Sequence, residues 1–309
     1  MNRSLMLQYD YVIAVAEERS FSRAAQRLFI SQPSLSHYIK KIEDDLGVQL
    51  FDRDSVPLRT TYAGEIFLKS AYEILAIEKQ LSQQMYDIAN LHSGRLSVGV
   101  SPYIASYTMP YILPFFYEKF PNVIVVLQES SLDKLEQMAF KGELDLALTN
   151  TVMSEKEFIC RRIYSDETVL CVPNKMDVVT LNQDSPKTGF PLVEMSQFQT
   201  VPFISMQADQ ILGRITRTIC ASASIQPKII MESRNFSTAF AMVEAGIGVT
   251  ILPYLFVRYQ NNTKNVQYYS IINNEERLDL MAVYRKSSYL SATASEFMNI
   301  VEEHLSNLD

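Results

Sequence analysis

The hydrophobic periodicity of this chain changes abruptly near Ser93-Gly94, and this change constrains the fold more than any other feature. Before it, apolar residues recur at helical spacing, ending in one long helical stretch from Tyr62 to Leu91. After it, short strands alternate with helices, which is typical of an α/β domain built on a parallel sheet. The sequence therefore predicts a helical N-terminal part, a long helix and a separate α/β part.

The predicted boundaries follow from this change. Residues 1–61 form the first domain, residues 62–94 the linker helix, and residues 95–309 the α/β domain. The α/β pattern runs through two cycles, which fits two small lobes joined by crossover strands better than one large domain. We place lobe I at about 95–165 and 268–309, and lobe II at about 166–267.

Two short helices that meet at a tight turn are predicted within the first domain. Ser20 or Ser22 caps the first helix, and the turn falls at Phe29-Ile30. Ser31-Gln32-Pro33-Ser34 then reads as an N-cap with proline in the first turn. The second helix extends to about Leu46 and ends at Gly47, with Leu35, Ile39, Ile42 and Leu46 turned inward. Residues 48–61 are too short and too rich in Pro and Asp for another helix, and suit a small β-hairpin.

This arrangement presents the second helix for insertion into the major groove of DNA. Its N-terminal side chains can hydrogen-bond base edges or phosphates, and its lysines can neutralise phosphates. The predicted DNA-contacting residues are Arg23, Gln32, Pro33, Ser34, Ser36, His37, Tyr38, Lys40, Lys41, Arg53 and Arg59. The alternative is an ordinary solvated helical face.

The net charge argues against DNA binding, because the chain carries −7 at pH 7 whereas DNA-binding proteins are usually basic. Residues 23–41, however, contain Arg23, Arg27, Lys40 and Lys41 and no acidic residue. Any DNA-binding surface must therefore be a local patch on an acidic protein.

The linker helix carries apolar residues at heptad spacing. One set of positions holds Phe67, Ile74, Leu81 and Ile88, and the set three residues later holds Ser70, Ile77, Gln84 and Leu91. A repeat of seven predicts a coiled-coil seam between two copies of the helix. The predicted dimerisation residues are Phe67, Ile74, Ile77, Leu81 and Ile88. The alternative is a helix that packs on its own domain.

Enzyme and metal-site signatures are absent from the sequence. The chain has no G-x-G-x-x-G, G-K-[ST] or G-x-S-x-G motif, and His37, His92 and His304 lie far apart. Cys160, Cys171 and Cys220 form no C-x-x-C pair, so we interpret them as buried small hydrophobes rather than redox sensors. No catalytic residue, metal ligand or cofactor is predicted.

Neither an export signal nor a membrane span is predicted. Asp10, Glu17 and Glu18 interrupt the N-terminal segment where a signal peptide needs an unbroken apolar stretch. No apolar run approaches the ~20 residues that cross a bilayer. We therefore expect a cytoplasmic protein without membrane contact.

The segment AAQRLFISQPSLSHYIKKIEDDLGVQLFDR, residues 24–53, resembles the winged helix-turn-helix of LysR-type transcriptional regulators. The likeness continues through PLRTT at 57–61 and, further on, PYILPFFYEKFPNV at 110–123, GELDLA at 142–147 and EAGIGVTILP at 244–253. Two residues depart from the family pattern. Tyr38 stands where glutamine is usual, and Val56 stands where the wing often has a basic residue, which implies a weaker wing contact.

The resemblance implies a two-lobed, periplasmic-binding-protein-like (type 2) effector domain that closes on a small ligand. It also implies a dimer, further paired into a tetramer, on an inverted repeat of DNA. The positions that map to the ligand cleft are Ser101, Pro102, Tyr103, Thr149, Asn150, Ser205, Met206, Gln207, Asn235 and Phe236. Polar groups at the ends of parallel strands suit a polar or anionic ligand, although serines and threonines there also cap helices. We expect Arg214 and Arg234 to be surface residues.

The sequence thus predicts a DNA-binding transcriptional regulator controlled by a small polar or anionic metabolite. The main alternative is a solute-binding protein, which shares the C-terminal fold but needs an export signal and has no use for residues 1–91. A metabolic enzyme is a more distant alternative.

Overall fold

The computed structural model describes residues 3–89, 93–260 and 264–307. The chain divides into two compact units. The first comprises Met1–Ile88 with Phe140–Glu143, and the second comprises Ala89–Ala139 with Leu144–Asp309.

The N-terminal unit is a helix-turn-helix followed by a small hairpin and a long helix. Its elements are α1 (Arg3–Glu18), α2 (Phe21–Arg27), α3 (Gln32–Leu46), β1 (Phe51–Asp52), β2 (Arg59–Thr60) and α4 (Tyr62–Ala89). The Ser31 hydroxyl caps α3 by accepting a hydrogen bond from the Ser34 N–H. Gly47 ends α3 in the left-handed conformation, with φ of 70°. The start and end of α3 match the sequence prediction.

The core of this unit forms where α1, α2 and α3 meet. Leu35, Ile39 and Ile42 are buried as their spacing predicts, and Leu50 and Phe51 of the hairpin pack on the same cluster. The prediction for Leu46 was wrong: its side chain is 49% exposed. Leu46 is the last residue of α3, where the helix has already left the core.

The second unit alternates strands and helices. Its strands are β3 (Ser93–Val100), β4 (Asn122–Glu129), β5 (Leu146–Thr149), β6 (Phe158–Pro173), β7 (Leu192–Val193), β8 (Pro202–Met206), β9 (Lys228–Ser233), β10 (Thr250–Pro253), β11 (Val266–Ile271) and β12 (Arg277–Arg285). Its helices are a π-helical turn (Ile104–Thr108), α5 (Met109–Lys119), α6 (Leu132–Phe140), a 3₁₀ turn (Met195–Phe198), α7 (Ile211–Ser222), α8 (Phe236–Glu244), α9 (Tyr254–Arg258) and α10 (Ala292–Ser306).

The main sheet is mixed, whereas the sequence predicted a parallel one. Its strand order is β4-β3-β5-β12-β6-β11-β7, with β10 also paired to β6. Strands β3, β4 and β5 run parallel, but β12 is antiparallel to both β5 and β6. The reason is the path of the chain: β6 leaves one lobe for the other and β12 returns beside it, so the two must run in opposite directions.

Two hydrophobic cores lie along these crossing strands. Ile163 and Tyr164 of β6 belong to the core of lobe I, whereas residues 169–172 belong to the core of lobe II. Strand β12 makes the same transition between Leu278 and Leu280. The sequence predicted only the second half of β6, because polar residues such as Arg161 and Arg162 interrupt the alternation in its first half.

No helix in the described ranges is both long enough and apolar enough to cross a membrane.

Candidate functional site

The first candidate surface is the N-terminal half of α3. Its first ten residues contain no acidic side chain, and seven of them that the sequence predicted to contact DNA are exposed: Gln32, Pro33, Ser34, His37, Tyr38, Lys40 and Lys41. Ser36 is half-buried. Tyr38 is exposed but packs its ring on Tyr11, with 5.2 Å between ring centroids. This face therefore offers hydrogen-bonding groups and positive charge to one partner, as a reading helix in a major groove requires.

The hairpin from Phe51 to Thr60 is the wing of this domain. A buried carboxylate joins α3 to it. Glu43 accepts hydrogen bonds from the backbone N–H groups of Leu50 and Phe51 at 2.9 and 3.3 Å. It also accepts one from the Arg53 guanidinium at 2.8 Å, and its side chain is only 7% exposed. Sequence reasoning missed Glu43 because two further acids follow it. Its position four residues after buried Ile39 was the available signal.

Arg53, predicted to contact DNA, is held by residues of its own domain. Its guanidinium pairs with Glu43 and lies over the Phe21 ring, 5.5 Å from the centroid. A guanidinium held by a buried carboxylate and an aromatic face positions the wing. The side chains of Arg23 and Arg59 are exposed, and Arg23 lies 3.8 Å from the Glu18 carboxylate.

Val56 at the tip of the wing is 97% exposed, and this leads to a testable prediction. Replacing Val56 by arginine is expected to raise affinity for all DNA sequences, because the new charge can reach a phosphate. Each phosphate contact steepens the dependence of log affinity on log salt concentration by about 0.9. Titrations at several salt concentrations measure this slope. The control is Val56→Gln, which adds polarity without charge, and equal slopes for the two variants would contradict the prediction.

A second surface is an apolar stripe along α4. Its exposed large side chains are Tyr62, Ile66, Ile74, Ile77, Leu81 and Met85. Spacings of three, four and eight residues place them on one side of the helix. Ile74, Ile77 and Leu81 were predicted, whereas Ile66 and Met85 were not. Such a contiguous apolar surface calls for a partner.

Phe67 and Ile88 complete the predicted dimerisation set, and Phe67 differs from the stripe. Phe67 packs on the core of its own domain, with its ring 5.9 Å from that of Tyr9. Its prediction as a seam residue is corrected accordingly. Ile88 falls within α4, and Leu91 lies outside the described residues.

The third candidate site is a cavity of about 590 Å³ between lobes I and II. Lobe I contributes Ser101, Pro102, Tyr103, Ser106, Tyr107, Ser130, Ser131, Leu132, Asp133, Leu135, Thr149, Asn150 and Thr151. Lobe II contributes Asp209, Gln210, Ile211, Leu212, Arg214, Arg234, Asn235, Phe236 and Ser237. A cavity of this size suits a small organic molecule.

Most, but not all, of the predicted cleft residues line this cavity. Ser205 and Met206 do not: they are 1% exposed inside β8, where the Ser205 hydroxyl donates to the Met206 carbonyl. Gln207 is also absent from the lining. The prediction placed the cleft at the end of β8, whereas the lining of lobe II begins at Asp209, in the turn before α7.

Several predicted polar groups are already used within the protein. The Ser101 hydroxyl accepts a hydrogen bond from the Ile104 N–H, and the Asn235 side chain caps α8 at Thr238. The Thr149 hydroxyl donates to the Thr151 carbonyl at 2.7 Å. The sequence left open whether these hydroxyls cap a helix or contact a ligand. The Ser101 hydroxyl is observed to cap the helical turn that follows it.

Two arginines supply positive charge at the cavity, where these hydroxyls supply none. Arg214 and Arg234 were expected to be surface residues, and both are exposed, but both also line the cavity, which the sequence did not predict. Arg234 pairs with Asp209, and this hydrogen bond lowers the pKa of the Asp209 carboxyl. Gly213 lets α7 approach the end of β8, since a Cβ there would lie 2.2 Å from the Gln207 carbonyl oxygen. The turn before α7 and its first residues therefore reach the cavity.

Aromatic rings from both lobes meet beside the cavity. Tyr103 contacts Phe236, and Tyr107 contacts Phe256, each with 4.7 Å between ring centroids. The Tyr107 and Ser237 hydroxyls also share a hydrogen bond of 2.5 Å across the lobes. Sequence reasoning missed Tyr107, which lies in the π-helical turn. These contacts give the cavity an apolar wall.

The described residues hold no group of three or more His, Cys, Asp or Glu side chains placed to bind a metal ion.

Comparison with known proteins covers both parts of the chain. The family described as "LysR substrate binding domain" matches residues 89–306, and "Bacterial regulatory helix-turn-helix protein, lysR family" matches residues 6–65. The chain is 30% identical to the uncharacterized HTH-type transcriptional regulator YcgK of Bacillus subtilis, covering 96% of this chain and 93% of that protein. It is 28% identical to the hydrogen peroxide-inducible genes activator of Pectobacterium carotovorum, covering 96% and 95%. Full-length CbnR complexed with its target DNA has a TM-score of 0.57 at 21% identity, covering 97% and 99%.

Proposed function

The chain belongs to the LysR family of bacterial transcriptional regulators, and on that premise we propose that α3 reads DNA, α4 pairs two protomers and the cavity between the lobes binds the effector. As a member of this family the chain is a DNA-binding regulator with an effector-binding domain, and not an enzyme.

The observation that carries the DNA-reading role is the composition and support of α3. Its exposed N-terminal face combines amide, hydroxyl and imidazole groups with two lysines and no acid. Glu43 in this helix is hydrogen-bonded to the start of the wing, so the helix and the wing are held in one arrangement for DNA contact. Ser36 and His37 are assigned to base edges, and Lys40 and Lys41 to phosphates. The acidic net charge then matters little, because phosphate neutralisation depends on this local patch.

Assembly follows from the apolar stripe of α4. Two copies that pair through Ile74, Ile77 and Leu81 bring two α3 helices to one DNA duplex, as an inverted repeat requires. CbnR, whose fold this chain shares, has been crystallised at full length on its target DNA. A dimer further paired into a tetramer, acting in the cytoplasm where the DNA lies, completes the proposal.

The effector is a small polar metabolite that carries an acidic group. Arg214 and the N-terminal turn of α7 both favour a negative charge in the cavity. The Gln210 side chain makes no capping hydrogen bond to this turn.

Peroxide sensing is the second candidate function, favoured by the names of several relatives. The thiols of this chain suit it poorly, because oxidation proceeds through the thiolate. Burial raises the pKa of the Cys220 thiol to about 11 and raises that of Cys171 further. Cys160 donates to the Met153 carbonyl. None of the three cysteines is among the residues that line the cavity, so we assign sensing to ligand binding.

The DNA-reading assignment is tested on an operator fragment that the protein retains from sheared genomic DNA. Replacing Ser36 and His37 together by alanine is expected to relax base preference, at a cost of about 1–3 kcal/mol for each base that is no longer recognised. Lys40→Ala is the matched control: it should weaken all sequences alike and flatten the salt dependence. An unchanged footprint and affinity in the double variant would exclude α3 as the reading helix.

A further inference from the structure

The cavity between the lobes has opposite charges on its two walls. Lobe II contributes Arg214, which is exposed, together with Arg234, whose charge is balanced by its ion pair with Asp209. Lobe I contributes the exposed carboxylate of Asp133. The cavity therefore offers one cation from α7 and one anion from α6, on different lobes. A simple anion would match only the first of these.

Gln210 adds an acceptor that lacks a partner. Its amide nitrogen donates to the Arg234 carbonyl at 3.2 Å, which fixes the orientation of the amide group because a carbonyl can only accept. Its Oε1 is then buried without a hydrogen-bond partner among the described residues. A buried acceptor of this kind is costly unless a ligand supplies an N–H or O–H group. A ligand with a donor group is thus favoured beside Gln210.

One part of the cavity wall is apolar. Tyr103 and Phe236 contact each other across the lobes, and both line the cavity together with Tyr107 and Ile211. An aliphatic or aromatic group packs on such rings, whereas a second charged group has no counterpart there. The cavity thus combines a cation, an anion, an acceptor without a partner, and an apolar part of the wall.

We propose that the effector is an amino-acid-like zwitterion with an apolar side chain, its carboxylate facing Arg214 and its ammonium facing Asp133 and Gln210. This rests on the proposed function of the cavity as the effector site. The side chain packs on Tyr103 and Phe236. Because the two charges belong to different lobes, a zwitterion bridges them, whereas an acid or an amine alone engages one lobe only.

The probes are the twenty protein L-amino acids, screened by dye-reported thermal unfolding of the full chain, since the chain has no Trp. For each amino acid that stabilises the protein, calorimetry then compares it with the acid that lacks the ammonium group and the amine that lacks the carboxylate. Both analogues are expected to bind at least about tenfold more weakly, the loss that goes with one charge-assisted hydrogen bond. Asp133→Asn should weaken the amino acid but not the acid, and Arg214→Gln should weaken the amino acid but not the amine.

The controls are Lys134→Gln and Lys228→Gln, which change exposed charges outside the cavity and should leave binding unchanged. Each variant is compared with its own unliganded melting temperature, because Asp133 also lies in the first turn of α6. A deaminated acid that binds as tightly as the amino acid would overturn the zwitterion. If malate or benzoate stabilises the chain and no amino acid does, the zwitterion fails and the effector cavity stands. If neither the acids nor the amino acids stabilise the chain, the zwitterion proposal and the assignment of the cavity as the effector site both fail.

Discussion

Replacing Leu81 by aspartate is expected to dissociate the protomers and abolish high-affinity binding to the operator. Leu81 lies in the C-terminal half of the exposed stripe of α4, between Ile77 and Met85. In a paired helix, its substitution buries one uncompensated charge from each protomer, at about 3–5 kcal/mol for each charge. The dissociation constant of the dimer should rise by roughly 10⁴-fold or more. Sedimentation measures the assembly, and operator titration measures the loss of binding.

Ser82→Asp provides the control for this variant. It adds the same charge one residue later, about 100° around the helix and away from the stripe. The control should sediment as the wild type does, and both variants should keep the thermal unfolding of their effector domains. A Leu81→Asp protein that remains dimeric would show that the protomers do not pair through this stripe.

The second large effect is expected at Glu43. Replacing it by alanine leaves the Leu50 and Phe51 N–H groups and the Arg53 guanidinium without their shared acceptor. Removing one partner from a buried, hydrogen-bonded ion pair costs about 3–5 kcal/mol. A domain as small as the helix-turn-helix has a total stability of about 5–15 kcal/mol, so this loss removes a large share of it. Urea unfolding followed by helical circular dichroism measures the change.

Asp44→Ala is the matched control, because Asp44 is the next residue and its side chain is exposed. Its effect should stay within about 0.5 kcal/mol. The loss of stability in Glu43→Gln should fall between those of the two alanine variants. The amide oxygen of glutamine can still accept from the backbone, but glutamine lacks the charge that holds Arg53. If Glu43→Ala unfolds at the same urea concentration as Asp44→Ala, then the carboxylate does not brace the wing.

The local features of the N-terminal domain were predictable because they depend on neighbours in the chain. Ser31, Pro33 and Gly47 start and stop α3 through their own backbone and side-chain chemistry, and the structure places them there. Arg53 could not be placed in the same way. Its choice between a phosphate and Glu43 depends on how the wing folds back on α3, and the sequence pattern does not contain that information.

The cavity was less predictable for a related reason. The resemblance to LysR-type regulators assigned Tyr103, Thr149 and Phe236 to the cleft, and all three line the cavity. Which hydroxyl is free, however, depends on hydrogen bonds that form only in the folded chain, as at Thr149. Arg214 reaches the cavity because of the close approach at Gly213, a distance between α7 and a strand end that no single segment encodes.

Selection from random-sequence DNA duplexes by the full-length chain tests the DNA-reading function most directly, because it requires no knowledge of the natural operator. Paired α3 helices should enrich two inverted half-sites whose centres lie about 10 base pairs, or a multiple of that, apart. The Ser36/His37 double-alanine variant should lose the enriched bases while the spacing remains. Enrichment of a single unrepeated motif, or of the same bases by the double variant, would contradict a dimer that reads DNA through α3.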